Sequence, residues 1–335
     1  MRVAVPLGLE PDRVRPRGGR PVRLSGPAMG VGWTLQALAA PDLPDAAIAG
    51  AVQAALDEVS VQMSDWDPES DLSRFNRAPP GWFEVPAPMM EVVQAGLELA
   101  RLTEGAFDPT LGRLTALWGF GPPGPVARAP NPVALAAAEV GWRRLGFDPI
   151  GGRLRQPGGL RLDLSGIAKG YGVDRAAAAL NTLGLQDFLI EVGGELRGAG
   201  VKAGGAPWFV EIERPPGLAC EAPPILIALH DLAVAASGDW RRSLDLDGRR
   251  VSHTLDPAAR APVAGEVAAV AVLHPSCMQA DALCTALWVM GSEAGLAFAA
   301  RYGLAALYML RDGAGLREAV SPDFAALLDD EPTPV

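Results

Sequence analysis

Very few side chains in this sequence could supply an amine or an imidazole for catalysis. The 335 residues include only two lysines, Lys169 and Lys202, and three histidines, His230, His253 and His274. Histidine is the usual group for proton transfer near neutral pH, and lysine is a common partner for phosphate. Reactions that need either group therefore have few candidate catalytic residues. The sequence around each lysine and histidine indicates which of them is suited to that chemistry.

The segment Leu162–Asp174 surrounds Lys169 with residues that suit an anionic ligand. A predicted strand ends at Asp163, Ser165 and Gly166 form a turn, and Lys169 falls in the first turn of the following helix. Free N–H groups at a helix start, beside an ammonium group, favour phosphate or pyrophosphate. The same pattern is also typical of a serine helix cap with a solvated lysine. This segment contains neither the Walker pattern nor G-x-G-x-x-G.

A second segment offers hard oxygen ligands. Asp281 and Thr285 are four residues apart, so on a helix they lie on one face. A carboxylate and a hydroxyl, joined by carbonyl oxygens, are ligands of the kind that Mg²⁺ prefers. A first-turn acid with a threonine bonded to its own backbone explains the pair equally well.

His253 has the neighbours best suited to proton transfer. It lies on one arm of a hairpin predicted over residues 243–254, with Asp247-Gly248 at the turn. His230 and His274 each follow strongly apolar strands, which is typical of satisfied core or edge histidines. His253 is therefore the candidate for proton transfer or oxyanion contact, although a surface strand histidine would look the same.

Several weaker features would suit a flat heterocyclic ligand. Met29 and Gly30 form a bend that carries a thioether, Trp66 offers an aromatic face, and residues 105–109 form an Asp-Pro turn. A strand predicted over Phe188–Val192 runs into two glycines and a carboxylate, which permits a close backbone approach. Methionine and aromatic side chains pack well on flat rings, but each of these residues could equally belong to the core.

The elements that must position these residues alternate irregularly. Apolar periodicity predicts helices over residues 45–63, 89–103, 131–145, 166–183 and 280–290. It predicts strands over residues 22–38, 160–164, 188–192, 209–213, 225–229, 233–236, 267–273 and 304–310. Because the strands come in runs between separated helices, the pattern favours an α+β fold with mixed or antiparallel sheets and flanking helices.

Composition limits the class of protein. The chain is 49% hydrophobic and 20% charged, a globular balance, and its net charge of −10 argues against nucleic-acid binding. Three cysteines without C-x-x-C spacing indicate free thiols. No apolar run is long enough to span a bilayer, and the N-terminus lacks a signal-peptide core. We therefore expect a cytoplasmic protein, or a periplasmic one if an export signal was removed. We predict a flexible arm over residues 1–23, one domain over 24–320 and an acidic tail over 321–335.

A set of short motifs, in order, resembles the ApbE family of flavin transferases. The motifs are Met29-Gly30, Met63-Ser-x-aromatic-x-Pro-x-Ser70, Ala106-Phe-Asp-Pro109, Asp163-Leu-Ser-Gly-Ile-Ala-Lys-Gly-Tyr171, Val192-Gly-Gly-Glu195, Ser237-Gly-Asp-Trp240, His253-x-x-Asp-Pro257 and Ala280-Asp-Ala-x-x-Thr285. The resemblance covers about residues 24–313, and the Lys-Gly-Tyr and Ala-Asp-Ala-x-x-Thr motifs are the most specific. It implies the α+β, T-fold-like architecture of that family.

The resemblance also implies an activity. Members are Mg²⁺-dependent FAD:protein FMN transferases, which cleave the FAD pyrophosphate, release AMP and join FMN to a threonine hydroxyl of a client flavoprotein. Clients include subunits of sodium-pumping quinone reductase and of the Rnf complex. Carried over by motif, the metal ligands are Asp281, Thr285 and the carbonyls of Gly166 and Cys284. The implied FAD contacts are Met29, Trp66, Ala106, Phe107, Asp108, Asp163, Lys169 and Leu255, and His253 would assist the transfer.

Two departures from the family pattern affect this site. Trp66 stands where the family usually has tyrosine, which keeps the stacking face and loses the hydroxyl. Ala258, Ala259 and Arg260 replace the usual basic residue, threonine and glycine after His-x-x-Asp-Pro. Two alternatives stay open: a hydrolase that converts FAD to FMN and AMP, and a flavin-binding protein without turnover.

Overall fold

The computed structural model describes residues 1–6, 18–240 and 242–328. Its helices are α1 (Asp45–Met63), α2 (Asp71–Arg77), α3 (Ala87–Leu102), α4 (Gly112–Leu117), α5 (Pro132–Ala136), α6 (Ala168–Thr182), α7 (Cys277–Tyr302) and α8 (Pro322–Leu327). Its strands are β1 (Arg2–Ala4), β2 (Arg20–Ala28), β3 (Val31–Ala39), β4 (Gly81–Glu84), β5 (Gly146–Asp148), β6 (Arg153–Gln156), β7 (Phe188–Val192), β8 (Glu195–Ala199), β9 (Trp208–Glu211), β10 (Ala219–Cys220), β11 (Ile225–Leu229), β12 (Leu232–Gly238), β13 (Ser243–Leu246), β14 (Arg249–Ser252), β15 (Leu255–Asp256), β16 (Ala261–Pro262), β17 (Val267–His274), β18 (Ala305–Asp312) and β19 (Gly315–Val320).

The main sheet has nine strands in the order β10-β19-β18-β17-β12-β8-β7-β3-β2. Its pairs are antiparallel except β10 with β19, which is parallel. Two three-stranded sheets, β1-β11-β9 and β4-β6-β5, and two hairpins accompany it. The predicted α+β class with mixed sheets is confirmed.

Strand β17 shows how the layers are built. Its first seven residues are all buried, so both faces of the sheet are covered here. Alternate residues face opposite sides: Val270 and Val272 belong to the core beneath α7, whereas Ala269 and Ala271 pack with strands β9 and β11. The central sheet therefore separates the helical layer, which carries the site, from the small β1-β11-β9 sheet.

Asp174 joins the two helices that carry the most specific motifs. It lies in α6, and its carboxylate accepts hydrogen bonds from Ser276 Oγ at 2.7 Å and from the Cys277 and Met278 N–H groups at 3.0 Å. It also pairs with Arg197 on β8. A carboxylate at a helix N-terminus satisfies free N–H groups and favours the helix dipole. Asp174 thus sets where α7 begins relative to α6.

The interrupted strand predicted over residues 22–38 is two strands, because the chain folds back at the predicted bend of Met29 and Gly30. Strands β2 and β3 form an antiparallel hairpin that pairs Ala28 with Val31. Met29 and Gly30 form the turn with φ values of 53° and 73°. Two successive positive φ values are typical of the tight hairpin turn whose twist matches the strands.

Two other predictions differ from the structure in extent or type. The helix predicted over residues 131–145 ends at Ala136. A short 3-10 turn over Trp142–Arg144 follows Gly141, whose φ of 122° lies outside the helical region. Residues 160–164 make only one isolated bridge, between Arg161 and Leu111, and are not a strand. In contrast, α1, β7 and the hairpin β13–β14 occur where they are predicted.

The structure moves both predicted domain boundaries outward. Strand β1 pairs in parallel with β11, β2 begins at Arg20, and α8 lies within the predicted tail. Buried Glu318 anchors the N-terminal strand, because it accepts from Arg2 at 2.5 Å and Arg214 at 2.8 Å. The remaining parts of the predicted arm and tail, residues 7–17 and 329–335, lie outside the described residues.

Helix α7 also corrects the prediction about apolar runs. By length and composition it is the one helix of residues 1–6, 18–240 and 242–328 that could cross a membrane, with 44% of its apolar window buried. A core helix passes the same test, so this is weak support for a membrane span. Here α7 packs on β12, β17 and α6 and bends at Gly291.

We expect Asp174→Ala to lower the free energy of unfolding by about 2 kcal/mol, because two helical N–H groups and the Ser276 hydroxyl lose their acceptor. Urea unfolding followed by circular dichroism measures the effect. Asp42→Ala, at an exposed turn carboxylate, is the control and should stay within about 0.5 kcal/mol of wild type. Equal losses in the two variants would contradict the capping role.

Candidate functional site

The site is built where α6 and α7 approach most closely. A Cβ atom at Gly170 would lie 2.3 Å from the Cys277 carbonyl oxygen and 2.8 Å from Asp281 Cβ, so only glycine fits here. The Gly170 N–H donates to Asp281 Oδ2 at 3.0 Å. Asp281 is only 4% exposed, and its burial raises the pKa of the carboxyl group, an effect that Lys169 and the Gly170 hydrogen bond oppose. A buried carboxylate held in this way is poised to meet a cation.

Thr285 lies one turn beyond Asp281 and faces the turn before α6. Its Oγ1 lies 3.1 Å from the position of a Cβ atom on Gly166, beside the ring of Phe107. Cys284 directs its Sγ to the Ala235 carbonyl at 3.2 Å, so the backbone carbonyl is what it can offer to a ligand.

The donor set brought together here is one carboxylate, one hydroxyl and nearby carbonyl oxygens. No group of three or more His, Cys, Asp and Glu side chains among the described residues could hold a metal. A site of this kind therefore depends on Asp281, Thr285 and carbonyl groups. Oxygen-only donors with few charges fit Mg²⁺, which retains water or phosphate oxygens in its remaining positions. The predicted residues of the metal site, Asp281, Cys284, Thr285 and Gly166, are thus neighbours in the fold.

Lys169 projects from the first turn of α6 toward the β7–β8 turn. Its Nζ lies 2.5 Å from Glu195 Oε1, and the lysine side chain is 31% exposed while the glutamate is 4% exposed. Gly193 and Gly194 make the tight turn with φ values of 60° and 107°, which places Glu195 at the start of β8. The ion pair orients the ammonium group while leaving part of it open to a ligand.

Asp163 lies just before the turn into α6. It accepts from Thr115 Oγ1 at 2.6 Å and from the Ser165 N–H at 3.0 Å. Asp65, which sequence reasoning missed, is close enough for their charges to interact. Burial, followed by the charge of Asp163, raises the pKa of Asp65 to about 6, although a hydrogen bond from Asn76 lowers it. The position of Asp65 between Ser64 and Trp66, within the predicted aromatic motif, was the only signal for it.

The Asp-Pro turn is held by its own carboxylate. Asp108 Oδ1 accepts from the Thr110 N–H and hydroxyl at 2.8 and 2.6 Å, and Oδ2 accepts from the Trp142 N–H at 3.1 Å. Burial raises the pKa of this carboxyl group. The carboxylate therefore serves the turn, and the ring of Phe107 is the part of the turn that lies beside Gly166.

Three further predicted contact residues have different environments. Met29 lies in the β2–β3 turn, with its Sδ 3.0 Å from the position of a Cβ atom on Gly172. Trp66 is 57% exposed, which leaves an aromatic surface open at the site. Leu255 is buried in a cluster with Leu114 and Phe120, so its side chain serves packing and its backbone is what remains available.

His253 lies among aromatic rings beside α7. Its ring makes edge contacts with Phe120 and Trp288, each with ring centres 6.4 Å apart, and Trp288 is one turn beyond Thr285. His253 Nδ1 lies 3.0 Å from the Arg242 carbonyl oxygen. Because a carbonyl can only accept, Nδ1 carries the hydrogen and Nε2 is left with a lone pair.

The surroundings keep this imidazole uncharged. Burial lowers the pKa of His253 to about 4, and the charges of Arg242 and Lys169 lower it further, while the Arg242 carbonyl and Asp163 act in the opposite direction. A neutral imidazole with a free Nε2 can accept a proton at neutral pH.

The loop after His253 is well held despite its departure from the family pattern. Asp256 Oδ1 accepts from the Ala258 and Ala259 N–H groups at 2.8 and 3.2 Å. Arg260 adopts a φ of 54° at the position where the family often has glycine. Its guanidinium donates to the carbonyl groups of residues 135, 136 and 138. These bonds compensate for the strained backbone.

This chain is similar to known proteins over most of its length. A family model described as "ApbE family" matches residues 29–308. A Vibrio cholerae protein named FAD:protein FMN transferase is 37% identical over 92% of this chain and 92% of its own length, and a Haemophilus influenzae protein of the same name is 34% identical over 83% and 82%. The crystal structure of the Pseudomonas stutzeri flavinyl transferase ApbE, apo form, superposes with a TM-score of 0.85 at 38% identity, covering 92% of this chain and 96% of that one.

The fold and the arrangement of the site define an α+β protein of the flavin transferase class. The family match spans most of the chain, and relatives above 30% identity cover more than two thirds of it. The chain belongs to the ApbE family.

We expect Gly170→Ala to lower the free energy of unfolding by about 3 kcal/mol, because the added methyl group would overlap the Cys277 carbonyl oxygen. Urea unfolding measures the loss. Gly50→Ala on α1 is the matched control: nothing lies within 4 Å of its Cβ position, so it should stabilise by about 0.5–1 kcal/mol. A neutral effect of Gly170→Ala would show that α6 and α7 can separate without cost.

The lowered pKa of His253 also predicts how stability depends on pH. The folded state holds the imidazole neutral down to about pH 4, whereas the unfolded chain protonates near pH 6.5, so this group makes the fold less stable as pH falls from 6.5 toward 4. His253→Gln should reduce that slope by up to about 1.4 kcal/mol per pH unit. Urea unfolding at several pH values checks this. At pH 8 the imidazole is neutral in both the folded and the unfolded state, so the difference in unfolding free energy between wild type and variant there reports packing alone. Parallel curves for wild type and variant over pH 4–6.5 would refute it.

Proposed function

We propose that this protein is a Mg²⁺-dependent FAD:protein FMN transferase that joins FMN to a threonine hydroxyl of a client flavoprotein and releases AMP. The observation that carries the proposal is the cluster formed by buried Asp281, the adjacent Thr285 hydroxyl and the Lys169 ammonium, beside a neutral histidine. The matched relatives of this chain bear the name of the same activity.

Asp281, Thr285 and the carbonyls of Gly166 and Cys284 would hold the metal. When bound, Mg²⁺ neutralises charge on the pyrophosphate oxygens and favours loss of AMP as a leaving group. Lys169 is close enough to Asp281 for their charges to interact, and it would add a second positive charge. Its pairing with Glu195 keeps the ammonium oriented.

His253 would act as the proton acceptor. The client threonine hydroxyl gives its proton to Nε2 as its oxygen attacks the phosphorus of the FMN half of FAD. The new P–O bond forms while the bond to the AMP oxygen breaks, and the proton on His253 then passes to the released AMP. The carbonyl that holds Nδ1 fixes the tautomer this step needs.

The flavin ring would lie on exposed Trp66, with Met29 nearby at the β2–β3 turn. Stacking on an indole needs no hydroxyl, so the change from tyrosine keeps this contact. Asp163 and the backbone of Ala106 and Phe107 would line the rest of the FAD site, with Asp108 holding their turn and the Leu255 backbone at the His253 side. The client is expected to be a subunit of a sodium-pumping quinone reductase or an Rnf-type complex.

Incubation of the protein with FAD, Mg²⁺ and a client domain should add the mass of FMN to the client threonine and release an equal amount of AMP. Asp281→Asn should lower the rate by at least about 100-fold, because the only carboxylate among the metal ligands is lost. Intact mass spectrometry measures the label and chromatography the AMP. Asp42→Ala is the control and should retain the wild-type rate.

The same assay decides between the open alternatives. AMP released without label, across several clients, would identify a hydrolase in which water replaces the threonine. Bound FAD without AMP or label would identify a flavin-binding protein. Full activity of Asp281→Asn, or activity unaffected by removal of divalent metal with EDTA, would contradict the assigned metal site.

A further inference from the structure

We propose that Arg242 is a positioning residue that links the aromatic surface of Trp66 to the imidazole of His253. The inference rests on the proposed function in two respects only: His253 is taken as the proton acceptor, and Trp66 as the side chain on which the flavin ring stacks. No motif singled out in the sequence assigns Arg242 a role, since the motif Ser237-Gly-Asp-Trp240 ends two residues before it.

The guanidinium group of Arg242 lies between two aromatic rings. Its Cζ is 5.5 Å from the ring centre of Trp66 and 5.9 Å from that of Phe120. Its Nη2 also donates a hydrogen bond to the Phe120 carbonyl. A planar guanidinium held by two rings and one carbonyl has little rotational freedom, and lysine cannot reproduce that geometry.

The backbone of the same residue holds the histidine. The Arg242 carbonyl accepts from His253 Nδ1 at 3.0 Å, and Phe120, which Arg242 contacts, also packs edge-on against the His253 ring. Side chain and main chain of Arg242 therefore converge on one aromatic cluster.

The charge of Arg242 acts on His253 as well. Three charged groups act on the imidazole: Arg242 and Lys169 disfavour its protonation, and Asp163 favours it. Burial lowers the pKa of Arg242 as well, which Asp163 opposes. Burial is the largest influence on His253, so removal of the Arg242 charge should raise the pKa of the imidazole only in part.

The chain is well suited to a direct test because it has only three histidines. Proton NMR titration of the FAD-free protein, with the His253 signal assigned by its loss in His253→Gln, reports the imidazole directly. We expect Arg242→Gln to raise its pKa by about 0.5 unit or more, a threefold or larger gain in proton affinity. Arg242→Lys keeps the charge and should leave the pKa within about 0.3 unit of wild type.

Transfer kinetics supply the second readout. Arg242→Gln should move the acidic limb of the kcat–pH profile to higher pH, because the pKa of the imidazole rises. Arg242→Lys should lower kcat several-fold at neutral pH without moving that limb, because the charge remains and the fixed geometry is lost. Arg250→Gln is the matched control: this exposed arginine lies on the same hairpin and contacts Ser243 and the carbonyls of Asp239 and Trp240.

An unchanged His253 pKa in Arg242→Gln, an equal shift in Arg250→Gln, or wild-type kcat in Arg242→Lys would overturn the inference. Urea unfolding of each variant confirms that it is folded before titration. Failure of the proposed function is distinguishable: wild-type protein would then transfer no FMN, while the NMR titration, which uses neither FAD nor client, would still report whether Arg242 controls the imidazole.

Discussion

The close contact between α6 and α7 is the constraint on which the rest of the site depends. Gly170 allows the two helices to approach until the Cys277 carbonyl and Asp281 fill the space that any side chain would need. Asp174 caps α7 from within α6 and fixes its register along the helix. Together they place a buried carboxylate, a threonine hydroxyl and the Gly166 turn within one small volume. The ligands come from two motifs more than 100 residues apart, so only this packing makes them one site.

The electrostatics of the site follow from burial more than from net charge. A chain with a charge of −10 holds an ammonium beside a buried glutamate and an imidazole that burial keeps neutral. The net negative charge does not oppose a local site for an anionic dinucleotide. Where water is excluded, a few fixed charged groups determine the local electrostatic potential, because solvent screens the more distant exposed charges.

Local sequence predicted those elements whose own residues determine their form. Helix α1 occurs over the predicted residues because its apolar spacing is regular, and the β13–β14 hairpin occurs because Asp247 and Gly248 accept positive φ values. The bend at Met29 and Gly30 was predicted but not as a hairpin turn, because Met29 is a residue that rarely adopts positive φ. The helix predicted from residue 131 was too long: it ends at Ala136, and the φ of 122° at Gly141 keeps residues 142–145 from belonging to the same helix. Strand β1 was missed because its pairing partner lies more than 200 residues away.

By itself, the sequence determined the α+β class, the order of the motifs and the few side chains able to do chemistry, because these depend on residue types and local spacing. It could not show that the Asp108 carboxylate forms its hydrogen bonds within its own turn, or that Asp65 lies beside Asp163. Nor could it show that Arg242 contacts both Trp66 and His253. Those facts depend on which surfaces meet when sheet and helices pack. Distances, burial and the protonation of buried groups are properties of that packing, and therefore only the tertiary structure decided them.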